Sequence, residues 1–141
     1  MQAILELTDQ PADSELAQIS DALDQFNIQV SGVADRTPLA ILVRDPETHA
    51  VLGGLTGRTS LGLLFVDIFY LPEQLRGQGM GSRMLKMAED EGRRRGCNAA
   101  VLYTISFQAP EFYQRNGWQR FGEIPCQPAG TSRVFMSKRL A

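Results

Sequence analysis

The run Leu71-Pro72-Glu73-Gln74-Leu75-Arg76-Gly77-Gln78-Gly79-Met80-Gly81-Ser82-Arg83-Met84-Leu85 joins an apolar stretch to a helix-forming one through glycines at alternate positions. Glycines there let consecutive main-chain N–H groups converge on one point and let a ligand approach without meeting a Cβ. A helix starting at once adds its free N–H groups and the positive end of its dipole. The chemistry such a turn performs is the holding of an anion, above all a phosphate. A P-loop would place Lys and Ser/Thr after its last glycine, but Gly81 is followed by Ser82 and Arg83. A dinucleotide fingerprint spaces its glycines differently and needs an acidic residue about twenty positions on, ending a second strand. That region here reads as a helix with a basic last turn. A tight strand-to-helix turn without a ligand is the remaining alternative.

Other chemistry-bearing residues are few. Asp67 interrupts an apolar strand, and a carboxylate inside a buried strand is costly unless paired. It is either a functional group or a structural carboxylate bonded to backbone or an arginine. Glu73 and Glu111 read as solvated surface. Cys97 and Cys126 are too few and too far apart for a disulfide framework or a zinc site, and no metal is expected. Cys97 follows Gly96 and opens an apolar run, as a small buried residue does. The one histidine, His49, sits in the hairpin-turn composition Asp45-Pro46-Glu47-Thr48-His49, which argues against a Cys–His nucleophilic site.

The elements that must position these residues follow from periodicity and punctuation. A short strand is predicted over 3–7, and Asp13 caps a helix with Leu16, Ile19, Leu23 and Phe26 on one face, ending at Asn27. Residues 39–44 and 50–56 pair as a hairpin around the Asp-Pro turn, and Gly53, Gly54 and Gly57 suggest a bulge or close backbone approach. Residues 63–71 are almost continuously apolar, which predicts a mid-sheet strand buried on both faces. A helix over 79–95 turns Met84, Leu85, Ala88 and Gly92 inward, and Gly96 closes it. Glu89–Arg93, Asp90–Arg94 and Glu91–Arg95 are acid-to-base pairs at i,i+4, so Arg93-Arg94-Arg95 reads as helix C-terminal charge. A strand over 99–105, a short helix over 109–116 begun by Pro110, and closing strands over 118–123 and 132–138 complete the chain. The order β-α-β-β-β-α-β-α-β-β predicts a mixed α/β layer fold.

The bulk numbers bound the rest. A chain of 141 residues predicts one domain, residues 1–141, with a sizeable core. The net charge of −2 gives no basic excess, so no nucleic-acid partner is expected. No stretch is long and apolar enough to span a membrane, so no membrane partner is expected either. Glu6 and Asp9 stand where a signal peptide needs a basic and then apolar start, which predicts a cytoplasmic protein.

The spacing Arg76-x-x-Gly79-x-Gly81 resembles the acetyl-CoA-binding motif of the GNAT (GCN5-related) N-acetyltransferases. About thirty residues on, Ala109-Pro110-Glu111-Phe112-Tyr113-Gln114-Arg115-Asn116-Gly117-Trp118 resembles that family's A-x-x-F-Y-x-x-x-G-[FYW] element. Gly53-Gly54, Asp67, Gly96-Cys97 and Phe107-Gln108-Ala109-Pro110 are similar to a bacterial subgroup of small, stand-alone members. The resemblance implies a mostly antiparallel sheet whose one parallel pair, 63–71 and 99–105, splays apart at its C-terminal ends. Pantetheine would fill the gap, pairing with backbone near Phe69, Tyr70 and Leu71, with Ser106 and Phe112 also on the coenzyme. The diphosphate would rest on main-chain N–H groups of Arg76, Gly77, Gln78, Gly79, Met80, Gly81 and Ser82.

The activity so implied is transfer of acetyl from acetyl-CoA to a primary amine of a small molecule, or less readily of a peptide, by direct attack. Tyr113 is the implied general acid, since a phenol is protonated at neutral pH; core packing beside Phe112 is its alternative. Asp67 is a candidate for the base, as is a water chain. Departures lie on the acceptor side: Thr59-Ser60-Leu61-Gly62 stands where relatives carry bulky aromatics, Tyr103 replaces a commoner acidic residue, and no histidine lies near Gly130. The acidic residues nearby would suit a cationic amine. A non-catalytic CoA-binding or sensing module and acetylation of a nucleic-acid-bound target are the rival functions, and a homodimer is left open.

Overall fold

A computed structural model describes residues 1–141, which form two compact units, Met1–Ala34 and Asp35–Ala141. In the first, helix α1 spans Asp13–Ser31, four residues longer than its apolar periodicity indicates. Its cap is Ala12 rather than Asp13: the Ala12 N–H donates to Glu15 Oε1 at 2.9 Å, so the glutamate alone supplies the side-chain half of a capping box. Gly32, at φ +81°, ends the helix by donating its N–H to Ile28 O. Residues 3–7 form no strand, because no neighbouring strand pairs with them.

The second unit is a six-stranded sheet in the order β1-β2-β3-β4-β6-β5, with β1 Thr37–Arg44, β2 Val51–Ser60, β3 Leu63–Tyr70, β4 Ala99–Ile105, β5 Gln119–Pro125 and β6 Ser132–Arg139. All neighbours are antiparallel except β3 and β4. Helix α2 (Met80–Arg94) makes the crossover between those two, and α3 (Pro110–Arg115) follows β4. Parallel neighbours require such a crossover, whereas the antiparallel pairs need only turns. The Asp45 turn between β1 and β2 is one of these, its Oδ1 accepting the N–H groups of Glu47 and Thr48.

The core lies between one sheet face and α2. Met84, Leu85, Ala88 and Gly92 face inward as their spacing predicts, against Leu39, Leu55, Leu64, Val134 and Met136. A Cβ at Gly92 would sit 3.3–3.4 Å from Leu140 and Leu64, so glycine there lets the helix close on the sheet. The basic last turn holds the frame together. Arg95 donates to Thr37 O, Pro38 O and Thr59 Oγ1, and Arg93 donates to Leu140 O. Asp90 pairs with Lys86 and Arg93 rather than Arg94, which turns to Glu91.

The central strand departs from its sequence pattern. The β2–β3 register passes from Thr56↔Ile68 to Gly57↔Val66 and skips Asp67, which is therefore a bulge residue. A one-residue insertion exchanges faces. Leu64 and Val66 point to the helices before it; Phe69 and Leu71 do so after it. The strand is thus buried on one face, with Ile68 and Tyr70 exposed on the other, and not on both as continuous apolarity suggests.

Candidate active site

The parallel pair β3/β4 is short. Only Leu63↔Ala99, Leu64↔Ala100 and Phe65↔Val101 are in register, and beyond them the strands part. From Val66 to Tyr70 the edge of β3 that faces β4 has no strand partner, although its other edge stays paired to β2 as far as Tyr70. An unpaired strand edge inside a sheet is a template for an extended ligand bearing amides.

The parted strands open on the glycine turn. Gly77 and Gly79 have φ of +75° and +78°, and a Cβ at either would enter open space. Gly79 is the N-cap of α2; no side chain caps that end and its first turn has no acidic residue. The first-turn N–H groups are therefore available to an anion. Gly81 serves a different purpose: a Cβ there would lie 3.3 Å from the Phe112 ring and 3.7 Å from Leu71. Its bareness lets α2 approach α3 rather than clearing space for phosphate. Arg76 folds back, Nε donating to Leu71 O at 2.8 Å, and ties the turn to the end of β3.

A cleft of about 380 Å³ runs from this turn to Phe69, Phe112 and Tyr113. A second cavity, of about 230 Å³, lies between the parted strands and reaches Asp67, Thr104, Gln108 and Arg133. A third joins Tyr70, Leu71 and Arg76. Phe69 and Tyr113 line all three, so they stand at the junction. Tyr113 is only 7% exposed, with its ring edge-on to Phe69, Phe112 and Trp118. That burial pushes its phenol up to about 12, with no charge or hydrogen bond opposing it.

The candidate residues divide accordingly. Phe69, Leu71, Arg76, Gly77, Gly79, Gly81, Ser82, Phe112 and Tyr113 line one cleft, and Tyr70 borders the adjoining cavity. Gln78 and Met80 belong to the turn, but the Gln78 side chain returns to Gln74 O and Met80 packs against the core. Ser106 stands apart: its Oγ accepts the Ser132 N–H at 3.0 Å, because it extends the β4–β6 ladder by one pair, and it lines a separate cavity with Glu111 and Arg120. Asp67 is half-exposed on its bulge, and both its oxygens accept from Arg58 Nη1, at 3.1 and 3.2 Å.

Several groups at the site have no role assigned by the motifs. The Gln108 carboxamide oxygen accepts from Thr104 Oγ1 and the Ile105 N–H, capping the end of β4. Arg58, stacked 4.3 Å over Phe65, could have been matched to Asp67 from the Thr59–Gly62 hairpin register. The Arg133 guanidinium lies 5.2 Å over the Tyr103 ring; nothing in the local sequence signals it.

Comparison with known proteins agrees with this geometry. A family model described as an acetyltransferase (GNAT) domain matches residues 40–120. The chain is 36% identical over 129 residues to Acetyltransferase Atu2258 of Agrobacterium fabrum, covering 91% of this chain and 93% of that one. It is 37% identical over 95 residues to the blasticidin-S acetyltransferase of Streptomyces morookaense, covering 67% and 70%. A crystal structure of an acetyltransferase from Bacillus cereus superposes with a TM-score of 0.75 at 28% identity, covering 95% of this chain and 97% of that one.

Proposed function

This chain belongs to the GNAT acetyltransferase family, and we propose that it moves the acetyl group of acetyl-CoA to a primary amine of a small molecule by direct attack, without a covalent enzyme intermediate. The observation that carries this reading is the parting of β3 from β4 beyond Phe65 and Val101, opening onto bare main-chain donors at Gly77–Ser82 and a buried phenol at Tyr113. The relative named for blasticidin-S supports a small-molecule acceptor.

Acetyl-CoA supplies an activated acyl carbon and a thiolate leaving group. In the transfer a C–N bond forms and the C–S bond breaks; the amine gives its proton to Asp67 or to a water chain leading to solvent, and sulfur takes one from solvent. The chain's own residues align, stabilise and move protons. Main-chain groups of Phe69, Tyr70 and Leu71 hold the pantetheine arm as a further strand would be held, and the turn from Arg76 to Ser82 takes the diphosphate. The Leu71 N–H serves the developing oxyanion in this reading, and Arg76, which donates to the Leu71 carbonyl, steadies that residue. Tyr113 donates a hydrogen bond to the departing sulfur. Asp67, clamped by Arg58 at the mouth of the cavity, directs the amine.

The test mixes purified protein and acetyl-CoA with a panel of primary amines and follows thiol release. Turnover is expected. Tyr113→Phe should lower kcat about ten- to hundredfold and leave acetyl-CoA affinity within about twofold. Tight binding with no release over the whole panel would instead mark a coenzyme-binding module.

A further inference from the structure

The cavity between the parted strands carries charge that main-chain recognition of a coenzyme leaves unused. Two charged side chains line it, Asp67 and Arg133, with Tyr113 in the same wall. Asp67 is already engaged by Arg58, which touches both of its oxygens. Arg133 has no such counterpart. In the sheet it stands between Ile105 of β4 and Ile124 of β5, neither of which can pair with it. The acid beside Ile124, Glu123, is registered opposite Val134 on the other face and lies 3.8 Å from Arg120.

What Arg133 does have is a platform. Its guanidinium lies over Tyr103, and that ring packs against Phe135 at 5.7 Å. A stacked guanidinium presents a fixed, planar fork of donors, which matches a carboxylate in two-point fashion where an ammonium would not. The cavity therefore offers a carboxylate shared with Arg58 at one position and an unpaired cation at another, with the phenol in the same lining. That pattern runs against a purely cationic acceptor, which the acidic residues of the sequence would suit.

We propose that the acceptor is an amine that also bears a carboxylate, an amino-acid-like zwitterion, with its carboxylate on Arg133 and its amine directed to Asp67. The proposal rests on the acetyl-transfer reading above and names the substrate class of that same site.

Matched pairs test it: L-alanine, L-methionine and L-glutamate against their primary amides, plus a diamine, each with saturating acetyl-CoA. The free carboxylates should be preferred over the amides by about tenfold or more in kcat/KM. Arg133→Ala should bring that ratio to about one, chiefly through KM, and Arg133→Lys should restore part of it. Preference for amides or the diamine, or an unchanged ratio in Arg133→Ala, overturns the proposal. Calorimetric titration of N-acetyl-L-methionine into the protein–CoA complex reads the same contact without turnover. Loss of that binding in Arg133→Ala supports the carboxylate site even where no amine is acetylated, and equal binding by both proteins refutes it. Absence of thiol release with every amine is, by contrast, a failure of the transfer reading.

Discussion

Burial among Phe69, Phe112 and Trp118 holds the Tyr113 phenol at about 12, and this constrains how it can serve. Complete proton transfer from such a phenol to a thiolate whose acid has a pKa of about 8.5 is uphill by roughly 5 kcal/mol. Hydrogen-bond donation to the developing charge, with solvent completing the transfer, has no such penalty. The phenol stays protonated across the working range, so the pH–rate profile should show no alkaline limb from Tyr113 below about pH 11. A limb near pH 9–10 that disappears in Tyr113→Phe would contradict this. Stability follows the same shift. The unfolded chain releases that proton at about 10 while the folded chain keeps it to about 12, so stability falls as pH rises through that window.

The two glycines of the turn make separable predictions. Gly79 has φ +78° with open space beyond it, so Gly79→Val strains the backbone and places a side chain beside the proposed diphosphate site. Calorimetry should show acetyl-CoA affinity lowered about tenfold or more. Gly81→Ala meets the Phe112 ring instead, which can shift into the cleft it lines, so stability should change by less than about 1 kcal/mol while turnover is disturbed through the neighbouring Tyr113. Unfolding midpoints and kcat, measured together, check this.

Among the elements, α2 carries the least visible feature of the fold. Its Glu89 meets Arg93 at 4.0 Å as their spacing predicts, yet it is not a surface residue: it is 4% exposed and bonded to Lys138 Nζ at 2.7 Å and Trp118 Nε1 at 3.1 Å. Lys138→Met would leave that carboxylate only Trp118 Nε1 and the more distant Arg93, and should cost about 1.5–3 kcal/mol. The double change Glu89→Leu with Lys138→Met should recover part of the loss, since no buried charge is then short of a partner although Trp118 Nε1 loses its acceptor; denaturant unfolding checks both. Equal instability of the two variants would contradict the pairing account.

Elements with strong local signals were legible in advance. The glycine turn, the inward stripe of α2, the bounds of β4 and the Pro110 start of α3 all rest on neighbours in sequence. Features set by distant partners were not. The bulge at Asp67 depends on register with β2, the Glu89–Lys138 pair on residues 49 apart, and Ser106's engagement on its ladder partner in β6. The early strand over 3–7 failed for the same reason, because apolar character without a pairing edge makes no strand.

At the scale of the whole molecule, every cleft-lining residue lies within Asp35–Ala141 and the family match lies inside the same span. No helix is long and apolar enough to cross a membrane, and no cluster of His, Cys, Asp or Glu is arranged to hold a metal ion. The three arginines at the end of α2 each bond within the protein.

Amide hydrogen exchange with and without CoA tests the account at its centre. Main-chain donors of residues 69–71 and of the turn through Ser82 should gain protection of about tenfold or more when CoA binds. Protection confined to other segments, with these amides exchanging as fast as in the free protein, would contradict it.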